Sequence, residues 1–472
     1  MIILGTNSVK DTGFDVANSV RMNRGDSPSF TRSIGSNGDF NNSTLSMWVK
    51  KCSNDIDTNR LWLEFENGTN YEEVRFLDND TLRIYSESGG GTYFEIKTNR
   101  KFRDTNAFYH ICVIYDYSQA TNTNRIKLFI NGVQETSFST FSVPNQGANS
   151  SMNKSGNTVY VGAYPTGSNY FDGYLAEMVW LDGTSASVTD FGEFDEDSGI
   201  WKPINVSGLT AGTNGWYMDY ESSGSLGNDV FGSNNFTVNN LTAIDQSTDT
   251  CTNNFSTFNS AQKALANTSF SEGNLVASTN SSASTQVPFA TTIPVSTGKW
   301  YAEFKMIAKS TSSGSIPYIG ILGAAKFVSA LDNAYFIGGA NLDGVGYGTS
   351  GVVYSNGSEL DSSEATIANG DIVGIAADIT NKKIYFSKNG TYINSQDPAA
   401  GSNGYTIPTT SQGFYIFAAS LFGASGSWGA NFGSPPYAIS SGNQDGDGYG
   451  NFEYAVPSGY YALNTKNLAE YG

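Results

Sequence analysis

The sequence predicts an all-β protein of two antiparallel jelly-roll sandwich domains joined by an extended strap. Three observations predict it: a composition rich in aromatic residues and poor in charge, period-two alternation of apolar side chains, and an Asn-Gly hairpin signal in each half. Aromatic residues make up 13% of the 472 and charged residues only 15%, against a usual quarter. Gly, Ser, Thr and Asn fill the difference. Aromatic and β-branched residues favour strands, and Gly, Asn and Ser punctuate turns. The hydrophobic fraction of 39% allows a sizeable core, and the length suits two or three domains.

The clearest strand is Tyr109 to Asp116. There Tyr109, Ile111, Val113 and Tyr115 alternate with His110, Cys112, Ile114 and Asp116. Both parities are largely apolar, as in a strand inside a sandwich. Ile126, Leu128 and Ile130 then run into Asn131-Gly132, and the chain returns through Val133. The same grammar recurs where Lys383 to Lys388 meets Asn389-Gly390 and returns through Tyr392 and Ile393. Helical periodicity is nearly absent; Ser185 to Phe191 suffices for one turn. Between the halves, residues 245–297 are rich in Ser, Thr, Asn and Ala, and Thr252 to Phe258 reads as a strap. The expected domains are residues 1–245 and 271–472, with the strap over 246–270.

Charge and cysteine usage exclude several classes. Lys+Arg total 26 against Asp+Glu 44, a net charge of -18. Phosphate backbones and anionic lipid surfaces should repel such a chain, so no nucleic-acid partner and no membrane insertion are expected. The three cysteines, Cys52, Cys112 and Cys251, form no C-x-x-C pair. Cys112 reads as a buried free thiol, and the odd count argues against a disulfide framework. The start Met1-Ile2-Ile3-Leu4 has neither a basic nor a long apolar region of a signal peptide, so folding in a reducing cytoplasm is expected. No apolar run approaches a membrane span.

The residues offer little conventional chemistry. His110 is the only histidine, so His-rich metal sites are excluded and any acyl-transfer triad must use it. Its spacing to Cys112 puts the two on one strand face, but a packed structural His is the favoured reading. Glu193-Phe194-Asp195-Glu196-Asp197 is the obvious acidic cluster. A carbohydrate-active hydrolase using Glu193, Asp195 and Asp197 would need carboxylates facing one cleft. Asp190, Gly192 and Gly199 favour a solvated loop instead. Asn443, Asp445, Asp447 and Gly448 match the first half of a calcium loop, but its twelfth position is Tyr454 rather than Glu. Asp445 and Asp447 thus stay weak Ca2+ candidates, and no other cofactor is expected. Gly344 to Gly348 lacks the Lys and helix of a phosphate loop. Five aromatics near Gly, Ser or Asn, namely Tyr164, Tyr170, Tyr335, Phe336 and Trp428, remain as glycan or partner contacts.

Ordered blocks carry a resemblance. Leu45-Ser46-Met47-Trp48-Val49-Lys50, Phe108 to Asp116, Ile126 to Gly132 and Phe171-Asp172-Gly173-Tyr174-Leu175-Ala176-Glu177 resemble the laminin-G-like, concanavalin-A-like jelly rolls. Phe108 stands where that family usually has Trp. Gly298-Lys299-Trp300-Tyr301-Ala302-Glu303, Asn369 to Asp378, the Asn389-Gly390 hairpin and Ala430-Asn431-Phe432-Gly433 look like a SPRY-type sandwich. That pair of domains, with the strap Asp249 to Asn259 and the tail Phe452 to Leu468, resembles structural proteins of tailed phages. The resemblance implies a non-enzymatic virion surface protein, either a tail or fibre component or a capsid appendage. Its partners would be other virion proteins and a host-surface glycan, with a homo-oligomer formed through sandwich surfaces. A cellular SPRY-type peptide-binding module is the alternative outside the virion.

Overall fold

The computed structural model describes residues 13–53, 60–165, 169–261, 268–280, 285–310, 316–423 and 425–472. Strands account for 41% of the chain and helices for 7%, as the all-β expectation requires. The chain divides into two compact units, Thr12–Thr252 and one containing Asn253–Gly472. The division falls inside the segment read as a strap. Before it, Val16 N donates to Thr252 Oγ1 at 3.1 Å, and Lys50 Nζ is ion-paired with Asp249. After it, Asn254 N donates to Thr465 Oγ1 at 3.0 Å, and Ser256 N donates to Leu463 O at 3.0 Å. Residues 262–267 of that segment, like the N-terminal Met1 to Leu4, lie outside the described residues.

The first unit contains β1 (Ser19–Met22), β2 (Ser29–Ser33), β3 (Asn42–Lys51), β4 (Arg60–Asn67), β5 (Asn70–Phe76), β6 (Leu82–Ser88), β7 (Gly91–Thr98), β8 (Tyr109–Asp116) and β9 (Ile126–Ile130). These are followed by β10 (Val133–Gln134), β11 (Phe138–Ser142), β12 (Thr158–Val161), β13 (Gly173–Asp182), β14 (Gly192–Phe194), β15 (Trp201–Pro203), β16 (Trp216–Met218), β17 (Thr237–Asn239) and β18 (Gln246–Ser247). One sheet runs β10-β9-β8-β3-β13-β1-β18, with β16 beside β13, and the other runs β11-β7-β6-β5-β4-β12-β2-β17. The core lies where one parity of each sheet meets. Leu45, Met47, Val49, Ile111, Val113 and Tyr115 face Trp62, Val74, Ile84, Phe94, Val159 and Val161. Each such side chain stabilises the fold by roughly 1.5–3 kcal/mol through area removed from water.

The other parity of β3, β8 and β13 is covered too. Trp48, Cys112, Ile114, Ala176 and Val179 pack beneath Val188, Phe191 and Trp201. That second layer is why Tyr109 to Asp116 is apolar on both faces. The short turn expected near Ser185 to Phe191 is a 3-10 turn at Val188–Asp190, closed by a Ser187/Asp190 capping box. At the first hairpin, Asn131 and Gly132 have φ of 49° and 76°; at the second, Asn389 and Gly390 have 47° and 79°. Paired positive φ is the type I′ geometry that Asn-Gly favours.

The second unit is also a sandwich. Among the described residues, one sheet runs Thr268–Ser271, Val276–Thr279, Ser427–Asn431, Lys299–Ala308, Ile372–Asp378, Lys383–Lys388 and Thr391–Tyr392. The facing sheet runs Gln286–Ala290, Tyr415–Phe422, Tyr318–Gly323, Val345–Gly348, Val353–Ser355 and Ser358–Asp361. Trp300, Phe304, Ile319, Ile375, Phe417 and Trp428 form its core. Two short α-helices, Phe327–Asp332 and Thr465–Tyr471, have no counterpart in the sequence reading. Neither is long enough to impose a visible apolar period. The second is started by Asn464, whose side chain accepts from Asn467 N. No helix among the described residues is long and apolar enough to cross a membrane.

Candidate functional site: an aromatic sheet face beside a polar cavity

The residues singled out in the sequence largely resolve into structural roles. His110 is fully buried, and Trp201 Nε1 donates to its Nδ1 at 3.0 Å. An indole N–H can only donate, so Nε2 carries the proton and donates to Ser46 Oγ at 2.9 Å. Burial pushes its pKa down to about 3, which fixes it as a neutral hydrogen-bonding bridge. Burial likewise pushes the Cys112 thiol up, away from the reactive thiolate. Glu193 and Asp195 lie on the β14–β15 hairpin, where Lys202 meets them at 3.4 and 3.5 Å. Glu196 and Asp197 are exposed on its turn.

Asp445, a cation candidate from its spacing, is buried. Its Oδ1 accepts from Asp447 N at 3.0 Å and Tyr449 N at 2.9 Å. Its Oδ2 accepts from Ala462 N and Asn467 Nδ2, both at 2.8 Å. Asp447 accepts from the Tyr471 hydroxyl at 2.9 Å. The Asp445 carboxylate is occupied by donors that staple the C-terminal tail, and no group of three or more metal-ligating side chains occurs among the described residues. Gly344 to Gly348 supplies a paired strand, Val345–Gly348, and no phosphate cradle.

Of the five aromatics, Trp428 is a correction: it is fully buried in the second unit's core, and its Nε1 donates to Ser420 O at 3.4 Å. Phe336 is half-buried and stacks on Tyr318 at 4.4 Å, with Tyr335 in the same cluster. Tyr170 is half-buried, and its carbonyl accepts from Arg24 Nε at 3.2 Å. Tyr164 alone joins a larger assembly, on the face of β4, β5, β6 and β12 that points away from the core.

Strand parity builds that face. Trp62, Val74, Ile84 and Val159 turn inward, so Phe65, Tyr71, Tyr85 and Tyr160 turn outward. Phe65 is the cross-strand partner of both Thr158 and Tyr71. Its ring lies 6.4 Å from Tyr71, 6.4 Å from Tyr160 and 6.1 Å from Tyr164. Tyr71 is in turn 5.8 Å from Tyr85, and the Arg83 guanidinium sits 3.8 Å over the Tyr85 ring. Phe65, Tyr71, Tyr160 and Tyr164 are each half-buried. At the far side, Glu73 is buried between Arg75 at 2.9 Å and Arg83 at 3.0 Å, while Glu95 pairs with Lys97 at 2.9 Å. The arrangement offers ring faces and edges fixed by neighbours and by buried ion pairs.

Beside the aromatic row, where β17 stops short along β2, a cavity of about 430 Å3 opens. Thr31, Arg32, Ser33, Thr158, Asn214, Asn234 and Thr237 contribute to its lining. Two buried carboxylates shape its loops. Asp182 accepts from Asp39 N and Asn214 N, both at 2.8 Å. Asp229 accepts from Tyr217 N at 3.0 Å and Asn234 N at 2.9 Å. None of these loop residues stood out in the sequence. The signal available was the outward parity of Phe65, Tyr71, Tyr85 and Tyr160 on successive strands.

Residues 25–185, which include this face, match the family described as the concanavalin A-like lectin/glucanases superfamily. No curated protein matches the chain. Among solved structures, the SPRY domain of human HERC1 is similar at 15% identity, covering 37% of this chain and 96% of that one with a TM-score of 0.28. The heptameric SAP-like pentraxin of Limulus polyphemus is similar at 13% identity, covering 37% and 80%, TM-score 0.28. Domain 4 of AbnA, a GH43 extracellular arabinanase from Geobacillus stearothermophilus solved with arabinotriose, is similar at 20% identity, covering 31% and 64%, TM-score 0.23. No residue role is carried over from these likenesses.

Proposed function

We propose that this chain is a non-catalytic glycan-binding protein, and that the outward aromatic face of β4, β5, β6 and β12 is its binding surface. The carrying observation is the fixed cluster of Phe65, Tyr71, Tyr160 and Tyr164, with rings about one sugar unit apart and partly open. Aromatic rings take up the apolar faces of pyranoses, and neighbouring polar groups take up their hydroxyls. The match of residues 25–185 to a superfamily named for lectins and glucanases agrees with this reading. The non-catalytic part is supported by Glu73: its carboxylate is fully covered by two arginines, whereas a glycosidase needs two carboxylates that reach the scissile bond.

The test is a glycan array with the full-length chain and with Tyr71→Ala, folding being checked by circular dichroism. Binding to at least one polysaccharide class is expected, weakened about tenfold or more in the variant, with no reducing sugar released. Equal binding by both proteins overturns the site, and product release overturns the non-catalytic reading. The sequence resemblance to tailed-phage structural proteins extends the proposal: the protein sits on the exterior of a phage particle, on tail or capsid, and meets host glycans there. Mass spectrometry of purified particles and antibody labelling of intact ones test that extension.

A further inference from the structure

We infer that the cavity beside the aromatic face selects an anionic sugar unit, one bearing a carboxylate or a sulfate ester, and that Arg32 is the selecting residue. The inference rests on the glycan-binding reading and adds the ligand's charge. Position is the first argument. Thr158 lines the cavity and is the cross-strand partner of Phe65, so the cavity begins about 5 Å, one strand spacing, from the aromatic row. Arg32 is the cross-strand partner of core-facing Val159, so it enters the cavity from the inner parity at the sheet edge that β17 leaves open. A chain laid on Phe65 and Tyr71 meets it where a neighbouring unit bends around that edge.

Lining chemistry is the second argument. Hydroxyls of Thr31, Ser33 and Thr158 and amides of Asn214 and Asn234 surround one charged residue, Arg32. Its Nη1 donates to Asn214 O at 3.2 Å and its Nη2 to Asn234 Oδ1, both neutral oxygens. Among the described residues it forms no ion pair. Three carboxylates attract it from nearby, and each accepts other bonds: Asp229 from the Tyr217 and Asn234 amides, Glu64 from Asn157 Nδ2 and Lys154 N, and Asp182 from the Asp39 and Asn214 amides. Burial lowers the Arg32 pKa in spite of their attraction. In a chain of net charge -18, the cavity's lining carries a single charged residue, and it is cationic. A guanidinium fork matches planar or tetrahedral oxyanions, and its charge-assisted bonds are about twice as strong as neutral ones.

The third argument is preorganisation. Asn214 Nδ2 donates to Ser36 O at 3.0 Å, and Asn234 Nδ2 donates to Gly215 O at 2.7 Å. Both Arg32 acceptors are held by bonds of their own, so little ordering remains to oppose binding.

Calorimetric titration of the full-length chain decides the matter. The probes are a neutral glucan, a polyuronate and a sulfated galactan oligosaccharide of equal length, and inorganic sulfate. At least one anionic oligosaccharide should bind about tenfold or more tighter than the glucan, with the preference shrinking as salt is raised. Arg32→Gln should abolish the preference while retaining the weaker neutral binding. Ser33→Trp, which fills the cavity mouth and removes no Arg32 bond, should do the same if Arg32→Gln fails to fold. Tyr71→Ala should weaken every oligosaccharide. Equal affinity for neutral and anionic chains, still dependent on Tyr71, overturns this inference and leaves the glycan reading standing. Binding of inorganic sulfate alone marks an adventitious ion only and overturns the sugar assignment. Absence of oligosaccharide binding overturns both.

Discussion

Stability should fall as pH rises from about 5 to 8, and Glu72→Gln should remove part of that fall. Glu64 and Glu72 are cross-strand partners on β4 and β5, on the parity that faces the core, and only 2% and 1% exposed. Burial pushes the Glu64 pKa up to about 8, against hydrogen bonds from Asn157 and the Asn153 and Lys154 backbone, with the Glu72 charge adding to the rise. Burial pushes Glu72 up to about 7, against the Ser150 and Ser151 hydrogen bonds. Both folded values exceed the unfolded value of 4.5. The folded state therefore holds protons that the unfolded chain releases. The resulting stabilisation is fully present below about pH 4.5 and is lost as pH rises through about 7 and 8. Each group changes stability by about 1.4 kcal/mol per pH unit inside its window. Glu64 alone should then cost about 3 kcal/mol between pH 4.5 and 7. Glutamine at 72 keeps an oxygen for the Ser150 hydroxyl and removes the second charge. The variant should gain about 3 kcal/mol at pH 8 and less than about 1 kcal/mol at pH 5. Urea unfolding of both full-length proteins at each pH, followed by tryptophan fluorescence, measures this. The stacked Trp62–Trp180 pair, 5.0 Å apart, lies beside Glu64 and reports on that region. An unchanged pH slope in the variant would refute the reasoning.

Two further outcomes are expected. The single histidine should show no imidazole titration above pH 5 by NMR, because burial holds His110 at about 3, and its stabilising neutral state is lost as pH falls from about 6.5 towards 3; a midpoint near 6.5 would contradict the Trp201–His110–Ser46 bridge. Asp445→Ala should cost about 3 kcal/mol or more by stranding buried amide donors, and limited proteolysis should then cut first near the helix Thr465–Tyr471; an unchanged cleavage pattern would show that the tail does not depend on that carboxylate.

Legibility followed periodicity. Strands such as Tyr109–Asp116 and turns such as Asn131-Gly132 announce themselves because their constraint is local: alternating burial in one case, positive φ in the other. The helix Thr465–Tyr471 does not, since its start depends on an Asn464 cap and its docking on contacts such as Thr465 N to Asn254 O at 3.0 Å, far away in sequence. Asp445 shows the limit from another side. Its spacing with Asn443 and Asp447 mimics half of a cation loop, yet the same carboxylate geometry suits backbone amides as well as a metal. Only the arrival of Ala462 and Asn467 from the tail decides between them.

The candidate site was hidden for a related reason. Proximity to Gly, Ser or Asn selects aromatics in loops, and that criterion found Tyr164 but also Trp428, which the fold buries. The rings that assemble with Tyr164 lie inside strands, where an aromatic residue is ordinarily core. Their distinction is parity alone: Phe65 is out of phase with Trp62, and Tyr71 and Tyr85 are out of phase with Val74 and Ile84. A sheet that needed only one apolar face would carry polar residues at those outward positions. Here the outward row alternates aromatic rings with Glu73, Arg75 and Arg83, which pair with one another while Arg83 also covers the Tyr85 ring. Aromatic surface retained outside the core at the cost of buried charge is better explained by a ligand than by stability, because replacing such charge with packed apolar groups is often neutral or stabilising. That physical ground supports the proposed glycan-binding reading independently of any resemblance.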